Sequence, residues 1–213
     1  MTDVWSRRAE AYRTSTIHSS GEDLDLVVEW CGPAPGLTVL DVATGGGHVA
    51  RRLREAGATV VTTDPAPGMG ADTTAAAESL PFADGSFDAV ACRLAAHHFG
   101  DVIAAVKEMA RVARHRLVIC DNTFVSESSE EADRLRDPSH VRNYGVAEWE
   151  SFFELAGLRI AEERHFTRPL EIEPWLARVG CSGDDAARVR ELLGDRIVDG
   201  SMPLPTLVLK GTK

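Results

Sequence analysis

Cysteine is scarce in this chain. Cys31, Cys92, Cys120 and Cys181 lie far apart and form no C-x-x-C pair. That excludes a disulfide framework and a cysteine zinc site, and it fits a reducing cytoplasm. Positive charge is also short. The formal net charge is -10 over 213 residues, whereas a nucleic-acid binder normally carries a basic face. No run approaches the roughly 18–20 apolar residues that a membrane span needs. The start, Met1-Thr2-Asp3-Val4-Trp5-Ser6-Arg7-Arg8, has no apolar signal-peptide core. No repeat or low-complexity segment stands out. The length suits one domain, expected to span 1–213, with a substantial core.

The informative stretch is Thr38-Val39-Leu40-Asp41-Val42-Ala43-Thr44-Gly45-Gly46-Gly47-His48-Val49-Ala50. A short apolar run carries an acid, a glycine-rich turn follows, and helical spacing begins with Val49, Ala50 and Leu53. The pattern predicts a strand, a tight loop and a helix start. Such a loop lets backbone N–H groups and a helix N-terminus approach a ligand closely. A second strand-like run, Thr59-Val60-Val61-Thr62-Thr63, ends in Asp64. An acid there, roughly 20 residues beyond a glycine loop, suits ribose hydroxyls. The glycine spacing does not match the dinucleotide pattern G-x-G-x-x-G, which disfavours a nicotinamide-dependent oxidoreductase.

Strand and helix patterns alternate along the chain. Strands are expected near 37–42, 58–63, 87–92, 116–121, 158–166 and 204–210. Helices are expected near 3–13, 24–31, 47–56, 102–112, 127–136, 146–156, 174–179 and 184–193. Pro65, Pro67, Gly68 and Gly70 leave room for only a turn of helix and a stub of strand in 65–77. The expected fold is α/β: a Rossmann-like, doubly wound, mostly parallel sheet. An antiparallel strand closes it, and it is truncated at the edge after strand two.

Four segments together resemble the class I S-adenosylmethionine-dependent methyltransferases of the ubiquinone and menaquinone biosynthesis type. They are the Asp41–His48 loop, Thr63-Asp64-Pro65, Ala77-Glu78-Ser79-Leu80-Pro81-Phe82 with Asp84-Gly85-Ser86-Phe87-Asp88, and Cys92-Arg93-Leu94-Ala95-Ala96-His97-His98-Phe99. The last run, with Arg136-Asp137-Pro138-Ser139-His140-Val141-Arg142, is similar to a set of small bacterial members. Counted from Ala43, the family's alternating glycines read Ala43, Gly45, Gly47, so alanine replaces the first.

The resemblance implies S-adenosylmethionine as methyl donor and S-adenosylhomocysteine as product. The donor would be held by Asp41, Ala43, Thr44, Gly45, Gly47, His48, Asp64, Pro65, Met69, Ala77, Glu78 and Arg93. Within that set, Asp41 lies near the methionine ammonium, Asp64 accepts the ribose hydroxyls, and Pro65 and Met69 pack on adenine. The family's adenine-binding acid is Ala76 here, with Glu78 as a substitute. The lesser reading of Asp64 is a turn-forming acid before Pro65, and Arg93 equally suits a structural ion pair. His97 and His98 follow the fourth strand, where one of them can act as general base. The other reading has one capping a loop and one packing beneath the donor. No metal is expected at this pair.

The resemblance also implies an N-terminal helical flap over 1–35 and a substrate-covering insertion over 122–157. It gives Tyr12, His18, His140, Arg142 and Tyr144 as acceptor-site residues. Arg136, His140 and Arg142 favour an acidic or polar small-molecule acceptor taking methyl at O, N or C. The acidity speaks against DNA or RNA as acceptor, and a homodimer stays open. Two rival readings keep the fold without methyl transfer: a cyclase or isomerase of a natural-product intermediate, and a non-catalytic binding module.

Overall fold

The structure, a computed structural model, describes residues 2–213. Its elements follow the alternation expected from sequence. The first are α1 (Thr2–Arg13), α2 (Thr16–Ser19), α3 (Glu22–Cys31), β1 (Thr38–Val42), α4 (His48–Glu55), β2 (Thr59–Asp64) and the stub β3 (Thr73–Thr74). Then come β4 (Phe87–Arg93), α5 (Val102–Val112), β5 (Ala113–Asn122), α6 (Glu127–Arg136) and α7 (Val146–Leu155). The chain closes with β6 (Arg159–Glu171), α8 (Ile172–Val179), α9 (Gly183–Leu193) and β7 (Ser201–Thr212). The sheet order is β3-β2-β1-β4-β5-β7-β6. The first five strands run parallel, and β7 lies antiparallel between β5 and β6. This is the Rossmann-like sheet with an antiparallel closing strand.

Two apolar layers hold the sheet between helices. On one face α3 and α4 contribute Leu24, Val27, Trp30, Val49, Ala50 and Leu53. On the other, α5 and α7 contribute Val106, Met109, Trp149, Phe152 and Phe153. All seven residues of β4 are buried, as a central parallel strand with both faces covered must be. Gly211 of β7 shows how tight the packing is: a Cβ there would lie 2.7 Å from Phe153 Cδ1.

The truncated edge has a local cause. After β2 the prolines and glycines permit only a three-residue turn, Pro67–Met69. Asp72 then pins the chain back, its Oδ2 accepting from Thr62 N at 2.9 Å and from Thr62 Oγ1 at 2.8 Å. No length remains for a full helix before β3.

The β6–β7 hairpin is longer than the apolar pattern suggests. Most of β6 is exposed or half-buried, so hydropathy does not mark its ends. Cross-strand pairing extends it to Glu171↔Ser201. Asn122 at the carboxyl end of β5 pairs with Thr206, so residues 201–205 project beyond the parallel strands. There a third apolar cluster forms from Ala132, Leu170, Ile172, Trp175, Leu176 and Val189 of α6, β6, α8 and α9. This cap stands over the strand ends where α/β proteins form their sites. Among the described residues, no helix is long and apolar enough to cross a membrane.

Candidate functional site

Two cavities lie side by side at the carboxyl ends of the parallel strands. The larger, about 180 Å³, is lined by the loop after β1, the end of β2, α1 and the segment after β4. The smaller, about 70 Å³, lies under the cap. Tyr12, His18, Leu94 and His98 line both and form the wall between them.

Asp41 is buried in β1, and its Oδ2 accepts from Thr44 Oγ1 at 2.6 Å and from Ala50 N at 3.1 Å. Burial pushes its carboxyl up to about 6, against the pull of those hydrogen bonds. Asp64 ties two loops together: Oδ2 accepts from Gly45 N at 3.0 Å and Oδ1 from Ala66 N at 2.9 Å. Burial raises its pKa as well, with the two backbone hydrogen bonds opposing. The turn reading of Asp64 therefore holds alongside its position on the cavity.

The loop bends through left-handed backbone at Ala43 (φ 53°), Gly45 (φ 52°) and Gly47 (φ 74°). An L residue with a side chain pays roughly 1–2 kcal/mol for that conformation. Ala43 carries this strain at the position where the related loops have glycine. Leu94, on the shared wall, carries it too, at φ 54°.

At Gly46 space decides. A Cβ would lie 2.7 Å from Tyr12 O and 2.8 Å from His48 Nε2. His48 Nε2 is 3.0 Å from Tyr12 O, so this contact docks α1 on the loop. Gly46→Ala is expected to lift α1 and let its backbone open locally at Arg7, Arg8 and Arg13. Trypsin should then cut there about tenfold faster, while thermal unfolding of the core changes little. Unchanged cleavage would show that α1 is held elsewhere.

His97 and His98 sit on a single turn, Ala96–His98, just after β4. His97 N donates to Asp121 Oδ2 at 2.9 Å, and His97 Nδ1 lies 2.5 Å from Asp121 Oδ1. Burial disfavours the imidazolium, but the charge and hydrogen bond of Asp121 outweigh it and raise the His97 pKa. In turn Asp121 is lowered: His97 overcomes the burial that would raise it. His98 behaves oppositely. Its Nδ1 donates to Ser139 O at 3.0 Å, and burial with the neighbouring His97 charge pushes its pKa down to about 3. His98 is thus a neutral wall residue, packed edge-on to Trp5 with ring centroids 4.6 Å apart. His97 is held by a carboxylate and lines the smaller cavity.

Most residues expected from sequence converge here. Asp41, Ala43, Thr44, Gly45, His48, Asp64, Pro65, Met69, Glu78 and Arg93 line the larger cavity. Tyr12 and His18 line both cavities, and His140 lines the smaller. Four do not arrive. Gly47 caps α4, and Ala77 is core. Arg142 points outward to Glu148 at 3.1 Å. Tyr144 packs against Trp149 and Phe152.

Arg93 takes the ion-pair reading. Its Nη2 lies 2.7 Å from buried Asp23 Oδ2, and its Nη1 donates to His18 O at 2.8 Å. Glu78 Oε1 accepts from Gly100 N at 2.9 Å, at the start of α5. The segment expected as a flap divides. Its first two helices border the cavities, while α3 is core. The 122–157 segment divides likewise, α6 to the cap and α7 to the core.

Sequence reading missed Asp121, Trp5, Gly46, Asp133, Asn143, Arg168, Trp175 and Arg178. Asp121 had a signal, an acid at a strand's carboxyl end. Gly46 lies within the glycine loop itself, between the two glycines singled out; the others reach the site from remote elements, and no local pattern marks them. Glu130, Asp133 and His140 also bring ligand atoms within 4.8 Å of one another. Asn143 Nδ2 donates to Glu130 Oε1 and to Asp133 Oδ2, both at 2.9 Å, so both carboxylates already accept from an amide.

The chain is similar to known methyltransferases in sequence and fold. Residues 40–119 match the family model described as a methyltransferase domain. The chain is 33% identical over 202 residues to the uncharacterized methyltransferase YcgJ of Bacillus subtilis, covering 84% of this chain and 80% of that protein. The crystal structure of that protein superposes with a TM-score of 0.82 over 90% of this chain and 97% of its own. A demethylmenaquinone methyltransferase of Mycobacterium sp. (strain KMS) is 37% identical over 134 residues, 57% of each chain. The magnesium protoporphyrin IX methyltransferase of Synechocystis, solved with bound S-adenosylmethionine, shares the fold at 18% identity. It covers 89% of this chain and 77% of its own, with a TM-score of 0.57.

Proposed function

This chain belongs to the methyltransferase family, and from that premise we propose that the larger cavity holds S-adenosylmethionine and the smaller one a small-molecule acceptor. The observation that carries the reading is the shared wall. Donor-type carboxylates, Asp41 and Asp64, stand on one side of it, and the His97–Asp121 pair serves the other.

The residues fit the donor by chemistry. Asp41 offers a buried carboxylate to an ammonium, and Asp64 offers acceptors to ribose hydroxyls. Gly45 and Gly46 line the cavity with bare backbone, while Pro65, Met69 and Phe99 give it apolar surface. When bound, the donor supplies a methyl group already activated on a sulfonium. The protein then has to align, exclude water and handle a proton. Tyr12 and Trp5 of α1 cover the larger cavity. His97 Nε2 is the atom that takes a proton from an acceptor hydroxyl or amine, while Asp121 holds Nδ1. All four cysteines are free thiols, which supports the cytoplasm as the compartment.

Calorimetric titration with S-adenosylhomocysteine tests the reading. Binding in the micromolar range is expected near pH 7.5. Asp41 titrates at about 6, and an ammonium partner favours its charged form. Affinity should therefore hold above that pH and fall about tenfold for each pH unit below it. Asp41→Asn should bind weakly at every pH. No binding by folded wild-type protein, or an Asp41→Asn variant equal to wild type, would sink the assignment.

A further inference from the structure

Three arginines from three elements face the smaller cavity: Arg136 of α6, Arg168 of β6 and Arg178 of α8. Arg136 Nε donates to Trp175 O at 3.1 Å, and its guanidinium lies 4.3 Å from the centre of the Trp175 ring. That stacking holds the plane, and among the described residues neither terminal amino group has a protein acceptor. Among the described residues, no carboxylate comes within 4.0 Å of Arg136 or Arg178. Arg168 donates to Thr206 Oγ1 at 3.2 Å and Asn122 Oδ1 at 3.3 Å, and its buried Nη1, 3.9 Å from Asp23 Oδ2, has no hydrogen-bond partner, so Arg136 and Arg178 are the two cations without a carboxylate. Burial lowers the Arg136 pKa to about 10, against the opposing pull of Tyr12, Asp137 and Asp133, and Arg178 adds a smaller repulsion. Unpaired, partly buried cations destabilise a fold unless an anion joins them.

Asp133, His97, His140 and Asn143 line the same cavity, and burial raises the Asp133 pKa. Asn143 must turn its Nδ2 to the two carboxylates that accept from it, which fixes the amide orientation. Its Oδ1 is then a buried acceptor with no donor. A ligand hydroxyl or amine would satisfy it within reach of His97.

We propose that the acceptor is a small organic oxyanion, carboxylate-sized, whose anionic group is gripped by Arg136, Arg168 and Arg178 and whose hydroxyl or amine faces His97 and Asn143. The inference rests on reading the smaller cavity as the acceptor site. Planar guanidinium forks suit a carboxylate in particular, and a volume of about 70 Å³ admits a compact molecule. A phosphate monoester shares the oxyanion chemistry.

The test is calorimetry with three probes, 4-hydroxybenzoate, phenyl phosphate and the uncharged 4-hydroxybenzyl alcohol, each with and without saturating S-adenosylhomocysteine. At least one oxyanion is expected to bind tenfold or more tightly than the alcohol, and 4-hydroxybenzoate more tightly than phenyl phosphate. Arg136→Gln and Arg178→Gln should each weaken oxyanion binding about tenfold, with S-adenosylhomocysteine affinity unchanged. Both variants should fold, and Arg136→Gln should show a modestly lower ligand-free unfolding midpoint, because it loses the Nε bond to Trp175 O and the stacking on that ring. Equal binding of alcohol and oxyanions, no oxyanion binding, or arginine variants that bind like wild type would overturn the proposal. Preference for phenyl phosphate would overturn the carboxylate assignment. Failure of S-adenosylhomocysteine to bind would instead overturn the donor reading, and the probe titrations without it keep the two failures apart.

Discussion

Replacing His97 by alanine is expected to lower turnover by about 10²- to 10⁴-fold, with S-adenosylhomocysteine affinity within about twofold of wild type. His97 lines only the smaller cavity, so donor binding has no reason to change. The backbone of the turn keeps its bonds, since His97 N donates to Asp121 and His97 O accepts from Val141 N and Arg142 N. Asp121→Asn should act through His97 and not on the substrate. A base must be neutral to take a proton, so the acid limb of the rate profile lies at the raised His97 pKa, above 6.5. Removing the Asp121 charge moves that limb to lower pH while the maximum rate falls.

Nuclear magnetic resonance titration of the His97 ring checks the same pair without an acceptor. The ring should titrate above 6.5 in wild type and lower in Asp121→Asn. The pair also leaves a stability signature. A raised histidine contributes stability that is complete below about 6.5 and fades as pH rises through its folded pKa. The lowered Asp121 contributes stability above its ordinary range of about 3.9, lost as pH falls through its folded pKa. A His97→Ala enzyme with near-wild-type turnover on an acceptor found by metabolite screening would remove His97 from the chemistry.

Asp64→Ala is expected to weaken S-adenosylhomocysteine binding on the order of 100-fold. The carboxylate has two tasks. It accepts from Gly45 N and Ala66 N, which fixes the loops after β1 and β2 relative to each other. It also lines the larger cavity, where its remaining lone pairs would meet the ribose of the proposed donor. Removing it loses charge-assisted hydrogen bonds of roughly 1.5–3 kcal/mol each and loosens the glycine loop. Asp64→Asn keeps one oxygen acceptor and should fall between the two. Equal affinity for all three proteins would place the ribose elsewhere.

The donor side of this site was legible because its signals are local. Asp41, Thr44, Gly45 and Asp64 stand at strand ends next to the turn they serve. A loop that must bend through left-handed backbone and admit a ligand needs small residues in consecutive positions. The truncated edge was legible for the same reason, since two prolines and two glycines within six residues forbid a helix. The acceptor side was only partly legible. His97 was found by its place after a strand, and His140 and Arg136 by their motif. Arg142 and Tyr144 belong to that same neighbourhood, yet one faces solvent and the other the core. Adjacent residues on an irregular segment point in different directions, and spacing alone cannot choose among them.

The amino-acid sequence by itself determined the order of strands and helices, the glycine loop with its two acids, and the family. Those follow from hydrophobic periodicity and backbone preference within a few residues. Tertiary structure alone decided three further things. It sets Asp121 beside His97, and so makes one histidine basic and leaves its neighbour neutral. It sets β7 between β5 and β6 and carries the hairpin past the sheet. It thereby folds α6, α8 and α9 into a cap that brings Arg136, Arg168 and Arg178 to one cavity. The reason is physical. A pKa and a charge cluster depend on burial and on short distances between groups far apart in the chain, as Arg168 and Asp23 are at 3.9 Å, and only the packed molecule sets them.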